Sequence, residues 1–136
     1  MVLKNSKYFI EYIGTLFLVL VYGISGDAMA IGLTLSALIY IGARTSGAHY
    51  NPVISLASFM LKNITLTEFV GYIVVQLLGA FTAGIIIKFL SGILFYVEAP
   101  FNTLFYQQVT MEALMTFVFV LVALVAWVGR LKHKSV

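Results

Sequence analysis

Apolar residues run almost unbroken through four stretches of this chain, 8–25, 28–43, 68–94 and 104–129, with a shorter fifth at 52–61. A bilayer's hydrocarbon core takes roughly 20 apolar residues to cross as a helix. The pattern therefore predicts an all-α integral membrane protein with four transmembrane helices and one segment too short to cross. Only Ser25-Gly26-Asp27 separates the first two stretches, so they are expected to form a tight antiparallel hairpin.

The informative polar interruption is Thr45-Ser46-Gly47-Ala48-His49-Tyr50-Asn51-Pro52-Val53. Polar backbone at membrane depth survives only where it is buried in protein or lines a wet cavity. Asn is a favoured helix N-cap, and Pro at the first helical position gives up an N–H that had no partner there anyway. The run thus predicts a re-entrant loop feeding a half-helix at 52–61, whose positive end faces whatever occupies the cavity.

Composition strengthens the membrane reading. Of 136 residues, 62% are apolar and 10% charged, with a mean hydropathy of +1.05, well outside the balance of a soluble domain. The absence of cysteine excludes disulfides and thiolate metal sites. A net charge of +3 could suit nucleic acid, but the basic residues sit at the ends of the apolar segments and read as topology signals instead. With the N-terminus inside, Lys4, Lys7, Arg44, Lys62, Arg130, Lys132 and Lys134 fall on the cytoplasmic side, while Asp27 and Glu98 fall outside with only Lys88 near them. Both termini are then cytoplasmic, and the re-entrant loop dips in from that side. Lys4, Lys7 and Ala28-Met29-Ala30 imitate a cleavable secretory signal, but Glu11 interrupts the apolar run and hydrophobicity resumes straight after the would-be cleavage site. The first segment is expected to remain.

The loop and its surroundings resemble the major intrinsic proteins, the aquaporin and glyceroporin family. Ser46 to Val53 looks like the family's first SG-x-H-x-NPA loop, here ending NPV, and Glu11-Tyr12-Ile13-Gly14-Thr15 is similar to its first-helix E-x-x-G-T. Gly32-Leu33-Thr34 resembles the second helix, Gly71-Tyr72 with Gln76 and Gly79-Ala80 the third, and Glu112 with Thr116-Phe117 the start of the fourth. The resemblance implies an aquaporin-like half within a single membrane domain, 1–136: a first repeat at about 8–94 and a fourth helix at about 104–129. In the family two inverted repeats each supply a half-helix, and their Asn side chains face one file of water or small solute. The second half-helix, its NPA loop, two further spans and the Arg of the outer constriction have no counterpart in this sequence.

Within that frame each candidate residue has a role. The Asn51 amide, at the start of a half-helix opened by Pro52 and Val53, can donate a hydrogen bond to a passing oxygen, while the helix dipole repels cations. Carbonyls of Ser46, Gly47, Ala48 and His49 would form an acceptor ladder. Metal binding by His49 is not expected, because His133 lies in the far tail, and a hydrogen bond bracing the loop suits it better. Counted back from Asn51, Ile31 aligns with a residue of the family's narrow filter, where strict water channels commonly carry an aromatic. Glu11 and Glu112 are carboxylates within apolar segments, expensive unless satisfied; a proton-coupled role is one reading, and the resemblance implies that each braces a re-entrant loop. Ala28, Gly32 and Ser36 on the second segment and Gly79 and Ala83 on the third permit close helix contacts.

The expected function is passive transport of water or small neutral, glycerol-like solutes, with no enzyme activity and no cofactor. The partners are the lipid bilayer and the solute, with no nucleic acid. One repeat cannot enclose a pore unaided, so a tetramer-like homo-oligomer or a separately encoded second half is implied. The alternatives are a non-conducting fragment that acts as an assembly partner, and a small four-helix proton-coupled transporter. The strong charge asymmetry speaks against the transporter, because dual insertion needs a weak one.

Overall fold

A computed structural model describes residues 6–92, 94 and 103–132. Lys4, Glu98, His133 and Lys134 lie outside the described residues. The described part is all helical and divides into two compact units, Met1–Tyr96 and Val97–Val136.

The first unit holds α1 (Ser6–Ser25), α2 (Ala28–Gly42), α3 (Pro52–Met60) and α4 (Leu66–Ser91). α1 stops where Gly26 enters the left-handed region at φ 61°, its N–H donating to the Tyr22 carbonyl at 3.0 Å; glycine adopts that conformation without a Cβ penalty. Asp27 then caps α2 by accepting from the Ala30 N–H at 2.7 Å. A C-terminal stop followed directly by an N-cap gives the tight hairpin that Ser25-Gly26-Asp27 predicts. α4 opens with a capping box, in which Thr65 Oγ1 accepts from the Glu68 N–H and Glu68 Oε2 accepts from the Thr65 N–H.

The seam between α1 and α4 organises this unit. Tyr8 lies against Gly71, Glu11 bonds Gln76, and Tyr12 donates to Thr82 Oγ1 at 3.0 Å. The pairs advance together along both helices, so α1 and α4 run parallel. Gly79 lets the backbones approach: a Cβ there would stand 2.5 Å from the Tyr12 carbonyl oxygen. Ala83 is fully buried in the same row. At the end where α1 and α4 begin, Lys7 forms an ion pair with Glu68. α2 returns antiparallel and brings Gly42 beside Ile10, so Arg44 and Lys62, which flank the loop and α3, belong to that same end.

Among the described residues three helices are long and apolar enough to cross a membrane: Ser6–Ser25, Leu66–Ser91 and Phe105–Ala126 within α5. α2 has 15 residues, about 22 Å at 1.5 Å per residue, shorter than the roughly 30 Å hydrocarbon core. Asp27 and the turn after Gly42 set those limits. Phe9, Phe17, Met29, Leu33, Phe81 and Phe89 are exposed, as expected of helices apolar all round.

The second unit contributes α5 (Phe105–Lys132). Gln107 Oε1 accepts from the Leu104 N–H at 3.0 Å at its start. Glu112 is exposed within this unit and accepts from Gln108 Nε2, one turn back, at 3.3 Å.

Candidate functional site

The loop between α2 and α3 is built around one buried carboxylate. Glu11 is completely buried. Its Oε1 accepts from Ser46 Oγ at 2.6 Å and from the His49 N–H at 2.9 Å. Oε2 accepts from the Tyr50 N–H at 2.6 Å and from Gln76 Nε2 at 2.9 Å. Four donors compensate the desolvated charge with hydrogen bonds.

Those bonds hold an otherwise unfavourable backbone. Ala48 and Tyr50 both have positive φ, 56° and 51°, a region that costs non-glycine residues of order 1–3 kcal/mol each and persists only where surroundings over-determine it. Glu11 supplies that determination by taking the N–H groups of 49 and 50, while Ser46 Oγ takes the N–H of Ala48 at 3.0 Å. Three successive N–H groups therefore face the Glu11 cluster. No peptide among the described residues is cis, and in a planar trans peptide the C=O opposes the N–H. The carbonyls of Gly47, Ala48 and His49 consequently point away from Glu11. The Ser46 carbonyl is engaged differently, accepting from Tyr72 OH at 2.6 Å.

Three further side chains lock the arrangement. Ser55, on the second turn of α3, lies 3.1 Å from His49 Nδ1 and accepts from Gln76 Nε2 at 3.0 Å. His49 also meets the Tyr72 ring edge-on at 5.1 Å. Tyr50 turns the opposite way: its ring fills a notch at Gly14 and Gly42, and its hydroxyl donates to the Leu38 carbonyl at 2.8 Å.

Asn51 ends the loop and caps α3. Its Oδ1 accepts from the Val53 N–H at 2.8 Å, which commits the amide oxygen to the cap and leaves Nδ2 as the group that can donate elsewhere. Pro52 occupies the first helical turn. Pro52 and Val53 are exposed and, with Leu56, Val70 and Val74, line an apolar cavity of about 390 Å³ between α3 and α4.

The remaining sequence-predicted residues are distributed as follows. Ile31 is half-buried in the first turn of α2, eleven residues before the helix ends, about 16 Å along the axis. Gly79 and Ala83 sit in the α1–α4 seam. Ala28, Gly32 and Ser36 are exposed in this unit, and a Cβ on Gly32 would meet nothing within 4 Å, so this stripe makes no close helix contact here. The reason is that α2 packs on α1 through its other side. Among the described residues no three His, Asp or Glu side chains come together to hold a metal ion.

The model of the major intrinsic protein family matches residues 16–135. The chain belongs to that family. It is 32% identical over 133 aligned positions to the glycerol uptake facilitator protein-like 6 of Lactiplantibacillus plantarum, covering 87% of this chain and 62% of that protein. It is 41% identical over 66 positions to aquaporin PIP1-3 of Arabidopsis thaliana, covering 48% of this chain and 23% of that one, and a probable PIP-type aquaporin of Solanum lycopersicum matches comparably over 71 positions. The chain thus spans less than two thirds of the length of these relatives. No solved structure matches it. As a major intrinsic protein with long apolar helices, it is a multi-pass integral membrane protein.

The sequence alone points to no role for Ser55 or Tyr50, and Tyr72 and Gln76 enter there only through the resemblance. The signal that finds the α4 residues is spacing: Tyr72, Gln76, Gly79 and Ala83 recur on one helical face, and all are buried. Ser55 follows from its place one turn beyond the Asn51 cap, where it looks back at the loop.

Proposed function

We propose that this chain supplies one side of a channel for water or small neutral solutes. The observation that carries the reading is the Asn51 amide, whose oxygen is consumed by the cap and whose N–H₂ is left to donate, at the positive end of a half-helix. That combination suits a neutral solute oxygen and disfavours cations. The carbonyls of Gly47, Ala48 and His49, turned away from Glu11, line the approach to Asn51 as acceptors. With the Ser46 carbonyl bonded to Tyr72, the ladder rests on three groups. Pro52 and Val53 form the wall beyond Asn51, and Ile31 narrows the far end with an aliphatic side chain that admits solutes larger than water. The names of the relatives, a glycerol uptake facilitator-like protein and aquaporins, support this solute class.

In this reading α2 crosses the membrane together with its flanking residues, and the end bearing Lys7, Arg44 and Lys62 is cytoplasmic. A second set of helices completes the pore. Glu112 has its counterpart loop in that second set. Glu11 acts by bracing and carries no proton through the membrane, since all four of its bonds are to groups that shape the loop.

Stopped-flow light scattering tests this. Proteoliposomes would carry the chain alone, or the chain joined to the C-terminal remainder of the Lactiplantibacillus relative. Faster water or glycerol equilibration than in empty vesicles is expected for the joined protein. Rates equal to empty vesicles for both solutes, from protein shown to be folded and inserted, would refute a channel role. Proton-driven uptake lost in Glu11→Gln would favour the transporter reading instead.

A further inference from the structure

A cavity of about 480 Å³ lies on the flank of α4 far from the loop, lined by Val19, Ala80, Phe81, Gly84, Ile85 and Lys88. Its floor is low because Gly84 has no side chain, and a Cβ there would meet nothing within 4 Å. Its walls are apolar except at one end, where Lys88 sits. Lys88 is exposed and has no ion-pair or hydrogen-bond partner among the described residues, whereas Lys7 at the opposite end of the same helix pair has Glu68.

The position of that cation along the helix is informative. Lys88 lies 22 residues after Leu66, about 33 Å along an α-helix, so a helix spanning a hydrocarbon core of roughly 30 Å carries it to headgroup depth. An apolar trough runs from there over Gly84 to Ala80, about two helical turns along α4. Apolar trough and cation are thus arranged in the order of a phospholipid's own parts. We propose that this groove is a site for one anionic glycerophospholipid, with its phosphate on the Lys88 ammonium and an acyl chain lying over Gly84 between Phe81, Ile85 and Val19. The hydrocarbon fills the trough by dispersion contacts, and the charge pairing sets which lipid is retained. The site stands apart from Glu11, Asn51 and the loop, so its occupancy is independent of the channel reading.

The test uses the full chain in phosphatidylcholine nanodiscs doped with phosphatidylglycerol that carries a diazirine midway along one acyl chain. Adducts are mapped by mass spectrometry after illumination. Adducts should concentrate on residues 80–88. Lys88→Gln should lower that yield about fivefold, the factor expected for one lysine near an anionic lipid surface. Gly84→Leu, which has room for its side chain, should abolish the labelling while leaving the fold intact, as judged by circular dichroism. Labelling of 80–88 no greater than that of the exposed Phe9 and Phe17 side of α1 would overturn the proposal, as would a yield unchanged in both variants. Absence of label at 80–88 in the wild-type chain, as when another helix or a second copy covers the groove, would overturn it equally.

Discussion

Glu11 is completely buried with hydrogen bonds to its carboxylate oxygens as compensation, so its removal should be felt first in the loop. Glu11→Ala leaves the N–H groups of His49 and Tyr50 unpaired and frees two positive-φ residues to relax. The expected loss is about 1–3 kcal/mol for each buried donor left unsatisfied. It is measured as reduced resistance to denaturation in mild detergent, together with protease cleavage newly appearing at 45–51. Glu11→Gln keeps the shape but turns an N–H₂ group toward donors, and should fall between wild type and alanine. Tyr50 offers a sharper test. A Cβ on Gly42 would stand 1.8 Å from the Tyr50 hydroxyl oxygen, so Gly42→Ala should destabilise markedly. Tyr50→Phe alone should cost about 1 kcal/mol through the lost bond to Leu38. Combined, the two should cost less than their sum, because the clashing atom is gone. Strict additivity would mean that the phenol does not occupy the glycine notch.

At the level of elements, turn and cap chemistry carries most of the prediction. Ser25-Gly26-Asp27 reads as a hairpin because glycine stops one helix and aspartate starts the next. Asn51-Pro52 reads as a helix start for equally local reasons. The helix ends lie within a few residues of the ends of the apolar stretches, and the start of α4 at Leu66 rather than 68 follows from the Thr65–Glu68 capping box. Thr65→Ala should cost about 1 kcal/mol, seen as fraying of the first turn of α4 by hydrogen exchange. What could not be read locally is which face each helix buries. Gly32 and Gly79 look alike in sequence, as small residues spaced for close packing. One lies open while the other abuts the Tyr12 carbonyl, a difference made by long-range pairing of α1 with α4. The apolar stretch 28–43 likewise reads as a crossing helix, yet yields only 15 helical residues between its two caps.

For the molecule as a whole, the hydrophobic stretches and the polar run at 45–53 point to the family, and the match over 16–135 establishes membership. The helix cap at Asn51 and the hydrogen-bonded burial of Glu11 were legible from residue type and position; the pore role of either is part of the proposal. Roles that depend on a partner brought from elsewhere in the chain were illegible. Ser55 and Gln76 are ordinary polar residues until Glu11 and His49 arrive beside them, and the Ser46 carbonyl reads as free until Tyr72 reaches it. In the proposed channel Asn51 faces the conducted solute. That placement is tested most directly by comparing the osmotic permeability of vesicles bearing the chain joined to its relative's C-terminal remainder with that of the same protein carrying Asn51→Asp. Aspartate preserves the cap but removes the N–H₂ donor and adds negative charge where the solute oxygen must bind. Permeability falling to the level of empty vesicles, at equal protein incorporation, is the predicted result. Permeability above that of empty vesicles and unchanged by the substitution would contradict the account.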